Sequence, residues 1–216
     1  MKKLFLLLSV LVFVGCKSSI EIVLPMSAIQ NKESQMHMGN IYVEISGCND
    51  YEDSRKPSSS LIEAQKLIPY LFGTATFVEC FSKNYNSYAH FQIPIAVGFN
   101  ENDVVKTKSA IGVRSTNGVL LQIEIPTTIS QRILGEIEND FSMTSIDDFE
   151  ITIGMHNDLG KDIKGMALDT YISGEPHTWS TVILESEKTY NFKLSNVSTE
   201  YALKNGTVIV LIDMND

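Results

Sequence analysis

The chain has 216 residues, 44% of them hydrophobic and 20% charged, and mean hydropathy close to zero. That composition excludes a disordered tail, a collagen-like repeat and a polytopic membrane protein, and it fits one ordinary domain or two small ones. With 17 basic against 26 acidic residues and a net charge of −9, the chain has no counterion release to gain from phosphates, so nucleic-acid binding is not expected.

In chain order, Met1-Lys2-Lys3 is a short basic start, and residues 4–14 are apolar at every position except Ser9. Eleven residues cannot cross a hydrocarbon core that takes roughly 20 as a helix. A charged start, a short apolar run and the small residue Gly15 before a cut match a secretory signal instead. The next residue is Cys16, followed by polar Lys17-Ser18-Ser19.

Phe13-Val14-Gly15-Cys16 resembles the lipobox of bacterial lipoproteins, with Phe13 in place of the usual leucine. The resemblance implies diacylation of the Cys16 sulfur, cleavage before it and acylation of the new amine. It also implies an outer-membrane address facing the periplasm, because Lys17 rather than aspartate follows the cysteine. The expected organisation is a signal peptide over 1–15, an acylated Cys16 with a short tether over 16–19, and an ectodomain over 20–216. Removing residues 1–15 takes away two lysines and no acid, leaving 15 basic against 26 acidic residues. Anionic headgroups repel such a body, so lipid must hold it at the membrane.

Two cysteines remain, Cys48 and Cys80. In an oxidising compartment an even pair reads as a disulfide, closing a loop of about 33 residues for roughly 3–4 kcal/mol. Two buried thiols, or a thiol nucleophile paired with a histidine, are the alternatives, although no CxxC and no neighbouring cation point to reactivity.

Residues 20–26 form a short apolar stretch containing Pro25, and 27–40 read as loop or short helix. Ile41, Val43 and Ile45 then alternate with polar partners as a half-buried strand, and 47–60 is loop chemistry. Ser60 to Glu63 has capping-box spacing ahead of a helical face of Leu61, Ala64, Leu67, Ile68 and Leu71, which Pro69 is expected to end or bend. Residues 76–81 and 88–97 are predicted to form a hairpin about 83–87.

The second half repeats the grammar. A strand over 119–125 precedes a helix lined by Ile129, Ile133, Leu134, Ile137 and Phe141. Strands follow at 149–155, 166–173, 181–184 and 189–194, then a short helix over 197–204 and an apolar strand over 208–212. The expected class is therefore α+β, mostly antiparallel, with two or three short helices and two β-α-β-β lobes over 20–115 and 116–216.

Chemistry is sparse. His37, His90, His156 and His177 share no metal-ligand spacing, and His90 is expected on an exposed strand face. No hydrolase, phosphate-loop or dinucleotide motif occurs. Residues 157–162 resemble a calcium loop only in their oxygens, and a turn explains them. The acids Glu136, Glu138, Asp140, Asp147, Asp148 and Glu150 read as a solvated face. Neither a metal nor a cofactor is expected.

The most individual segment is the loop after Cys48, where Tyr51, Asp53 and Arg55 suit protein recognition. An acylated Cys16, Cys48 before an Asn-Asp-Tyr loop and Cys80 before a hairpin resemble, loosely, small phage and prophage lipoproteins of unknown function. The resemblance implies binding to an outer-membrane or other envelope protein, or exclusion of a related mobile element. The expectation is a noncatalytic, lipid-anchored binding module; the alternative is a periplasmic enzyme or small-ligand binder with dispersed site residues.

Overall fold

A computed structural model describes residues 17–99, 108–138 and 146–214. The signal segment, Cys16, Asp140 and Phe141 lie outside the described residues. The described residues are mostly strand. Eleven are described: β1 (Ser18–Pro25), β2 (Gln35–Ile45), β3 (Thr76–Lys83), β4 (Asn86–Val97), β5 (Ile111–Thr116), β6 (Val119–Glu124), β7 (Phe149–His156), β8 (Ile163–Ile172), β9 (Glu175–Leu184), β10 (Thr189–Leu194) and β11 (Thr207–Asp213). The helices are α1 (Met26–Ile29), α2 (Ser59–Phe72), α3 (Thr127–Glu138) and α4 (Asn196–Asn205).

Nine strands close into one barrel in the order β10-β7-β1-β2-β4-β5-β6-β11-β8, and β8 pairs back to β10. The expected α+β class with two lobes is therefore wrong. β1 pairs with β2 and, in parallel, with β7 of the other half, Ser18 opposite Phe149 through Pro25 opposite His156. A single apolar cluster joins Ile20, Phe91, Ile95, Phe149, Phe192 and Leu211 from both halves. Helices cover the ends rather than forming a layer of their own.

Alternation builds the wall. Ile20, Ile22 and Leu24 of β1 point inward while Glu21 and Val23 point out, and Ile151, Ile153 and Met155 repeat this on β7. The inward face of this wall is apolar, whereas the interior of a lipid-spanning barrel is polar.

Two strands lend one edge to two partners in series. Along β4 that edge serves β3 at Asn86–Gln92 and then β5 at Ile95–Val97. Along β8 it serves β11 at Gly165–Ala167 and then β10 at Thr170–Ile172. The second handover falls at Asp169, whose φ of +38° turns its carbonyl out of the ladder. That carbonyl accepts from Ser198 Oγ at 2.8 Å and Ser195 N at 3.3 Å, at the start of α4. Ser195 Oγ also caps α4 by accepting from Ser198 N.

One end of the barrel is helical. α2 packs on β2, β3 and β4, Phe72 stacks 6.4 Å from Phe149 of β7, α3 touches α2 and α4, and α4 lies against β7, β8, β10 and β11. The cap of α2 is Ser58 rather than Ser60, and the helix runs through Pro69 to Phe72. At the far end Met26 and Ile29 of α1 plug the barrel. There Ser27 N and Oγ both donate to the Asp158 carboxylate. Burial pushes that carboxyl up, but the Ser27 bonds outweigh it and hold it below the usual carboxylate range.

Ser198→Ala removes the better of the two donors to the Asp169 carbonyl. A loss of about 1–2 kcal/mol is expected, read by urea unfolding as a lower midpoint at unchanged slope.

Candidate functional site

The chain enters the barrel at the helical end. The Lys17 carbonyl accepts from Glu44 N at 2.7 Å, and β1 begins at the next residue. Of the tether expected over 16–19, Ser18 and Ser19 are already strand.

Beside this entry the outer face of β2, β4 and β3 carries an aromatic corner. Tyr42 stacks on His90 at 4.8 Å and meets Phe81 edge-on at 6.1 Å, and Phe81 stacks on Tyr88 at 5.7 Å. Burial pushes the Tyr42 hydroxyl up, with Glu21 and Glu79 adding to the effect. His90 is not the exposed residue expected from alternation: its side chain is 13% accessible and its Nε2 bonds Asn40 Oδ1 at 2.9 Å. The flat ring of Tyr42 on the next strand covers it.

Below the corner, β3 turns into β4 through Asn84 and Tyr85 alone, with φ of +51° and +70°. A two-residue turn with both residues left-handed favours Asn-Gly, because glycine bears positive φ without a Cβ penalty. Here the glycine place holds a tyrosine, fully exposed at 107%. Lys83 and Asn84 share a shallow hollow of about 400 Å³ with Ser19, so the hairpin tip is a neighbour of the chain entry.

The other face of β3 carries the predicted disulfide: Cys48 and Cys80 are bonded, Cα to Cα 5.7 Å. It staples the base of the loop holding Tyr51, Asp53 and Arg55. Asn49 bridges to Pro57, and Asp50 Oδ1 accepts from the backbone N of Glu52 and Asp53. Arg55 grips both oxygens of Asp53 at 2.9 and 3.1 Å, which holds the Asp53 carboxyl below its usual range. The Arg55 fork is engaged within the loop, and Tyr51 is 102% exposed.

The remaining candidates resolve into structure or lie apart. Asn157 is buried and bonds the carbonyls of Lys161 and Leu184, while Asp162 accepts from Ser186 N, so residues 157–162 form a turn. Among the described residues no group of three His, Cys, Asp or Glu could hold a metal. His177 bonds Ser180 Oγ, and His156 lies between Thr189 and Glu187. At the far end a cleft of about 860 Å³ is lined by Lys32, Phe99 and Arg114, with Arg114 paired to Glu124 and 5.4 Å over the Phe99 ring. Trp179, 69% exposed, pairs across from Leu168, which with Val197, Tyr201 and Ile209 lines a groove of about 390 Å³.

Fold and site define a closed, apolar-cored β-barrel domain whose disulfide, aromatic corner and chain entry share one end. A family model described as a domain of unknown function (DUF7424) matches residues 18–215, and the chain belongs to that family. The match begins on the first residue of β1. No curated protein and no solved structure matches the chain. Among the described residues no helix is long and apolar enough to cross a membrane.

Tyr85→Gly relieves the left-handed tyrosine at a position where the fold asks nothing of the ring. It should raise stability by about 1 kcal/mol in chemical unfolding, since the steric relief exceeds the entropy cost of glycine.

Proposed function

We propose that the chain is a lipid-anchored lipoprotein of the outer membrane whose barrel is a noncatalytic binding module for an envelope protein. The observation that carries this reading is the place of Cys16. In the sequence it comes two residues before β1, and β1 begins at the end of the barrel that also bears the stapled loop. Three acyl chains, at about 0.8 kcal/mol per buried methylene, make an anchor that does not exchange readily.

The loop suits recognition because its shape is set before binding. The disulfide, the Asn49–Pro57 bridge and the Asp53–Arg55 fork remove conformers that a partner would otherwise have to order. The exposed ion pair adds little to stability, so its use lies in shape. Tyr51 then offers a large amphipathic ring at low entropic cost. A partner in the same membrane meets the loop at the level where the lipid holds it. Exclusion of a related phage or mobile element requires such a target.

Two measurements in the native host test this. Cys16→Ser should abolish both incorporation of labelled palmitate and removal of residues 1–15. A photo-crosslinking residue at position 51 should capture one envelope protein. Labelled palmitate on the serine variant, or none on the parent chain, would refute the anchor, and a crosslinker that captures no envelope protein would refute the loop's role.

A further inference from the structure

We infer that the β3–β4 hairpin tip is a membrane-contacting wedge: Tyr85, flanked by Lys83, lies in the headgroup layer of the bilayer that holds Cys16 and seats the barrel on its helical end. The inference rests on the lipid anchor proposed above and adds where the protein touches the bilayer.

Three observations carry it. First, there is no slack. Lys17 is hydrogen-bonded to β2, so a lipidated Cys16 is one residue from a pinned carbonyl, and the entry end must face the membrane. Second, the tip reaches past the entry. Lys17 lies beside Glu44, Glu44 pairs with Tyr88, and β4 runs two residues further to Asn86, about 7 Å, before the turn that holds Tyr85. Third, the tip has the chemistry of an interface. Residues 82–87, Ser-Lys-Asn-Tyr-Asn-Ser, contain no carboxylate in a chain with 26.

Tyrosine is favoured where one side is apolar and the other wet, and a lysine stem can lie along acyl chains with its charge among headgroups. Tyr42, Phe81 and Tyr88 stand behind the tip on the same outer face. A tyrosine kept at φ +70°, where glycine would be easier, is local strain of the kind that marks a working position. An acidic body can approach an anionic surface most closely through a tip that carries no carboxylate.

The test moves the chain's one tryptophan. Full-length acylated protein carrying W179F with Y85W is reconstituted in vesicles of phosphatidylethanolamine and phosphatidylglycerol doped with brominated lipid. A second chain carries W179F with K161W, which puts the probe in the far-end turn. Acylation is read by mass spectrometry and attachment by flotation. The expected result is blue-shifted, strongly quenched emission for Y85W and unshifted, unquenched emission for K161W. An acylated, floating chain whose Y85W probe is unquenched, or whose two probes are quenched alike, overturns the wedge and leaves the anchor standing. A chain with no acyl mass on Cys16 and no flotation overturns both.

Discussion

β1 is the element on which the rest of the molecule depends. Its eight residues all pair in parallel with β7, and its first four pair with β2, so it is the stave between the two halves on that side of the barrel. Ile20, Ile22 and Leu24 extend the core across that seam. Pulled out, β1 would leave two open edges and three apolar side chains without a place, each worth roughly 1.5–3 kcal/mol of burial. The same strand starts two residues after Cys16. With the lipid anchor proposed above, anchor and fold would be one mechanical unit, and a force on the lipid would be a force on the barrel wall.

Closing nine strands around short helices imposes a second constraint. β4 and β8 each hand one edge from one partner to another, which lets β3 and β9 leave the wall as flaps. The exposed aromatic chemistry described above gathers on and around these flaps. β3 carries the hairpin tip, the Phe81 face of the corner and Cys80, while β9 carries Trp179. A strand that leaves the barrel has no core face to fill, so its side chains are free to serve a surface. The disulfide compensates at β3 by tying a strand with little burial to the loop before α2.

Much of the local structure was legible in the sequence. The alternations of β2, β4, β6 and β7, the β10, α3 and α4 segments, and the β3–β4 turn follow from hydrophobic period and turn residues. The closure was not. Both parallel pairings run through strands that patterning missed: β1, whose apolar run ends in Pro25 and read as a stretch without a class, and β5, a short Ile-Gly-Val-Arg-Ser-Thr segment. Periodicity reports which face of a strand is buried and says nothing of its partner. Two halves with similar grammar therefore read as lobes. Within the site, the cysteine pair and the loop were visible from residue types. The aromatic corner was not, because Tyr42, Phe81, Tyr88 and His90 meet only through pairing register. The one local signal was a tyrosine after Asn84 in a two-residue turn where glycine belongs.

The central claim, that β1 is wall rather than tether, is tested most directly by amide hydrogen exchange on the acylated protein bound to vesicles. If β1 is a stave, the amides of Ser18–Pro25 that face β2 and β7 exchange as slowly as those of β2 and β7, in one cooperative opening. Rapid exchange across β1 while β2 and β7 stay protected would mean a barrel hung on a loose leader, and would contradict both the closed wall and the seated orientation drawn from it.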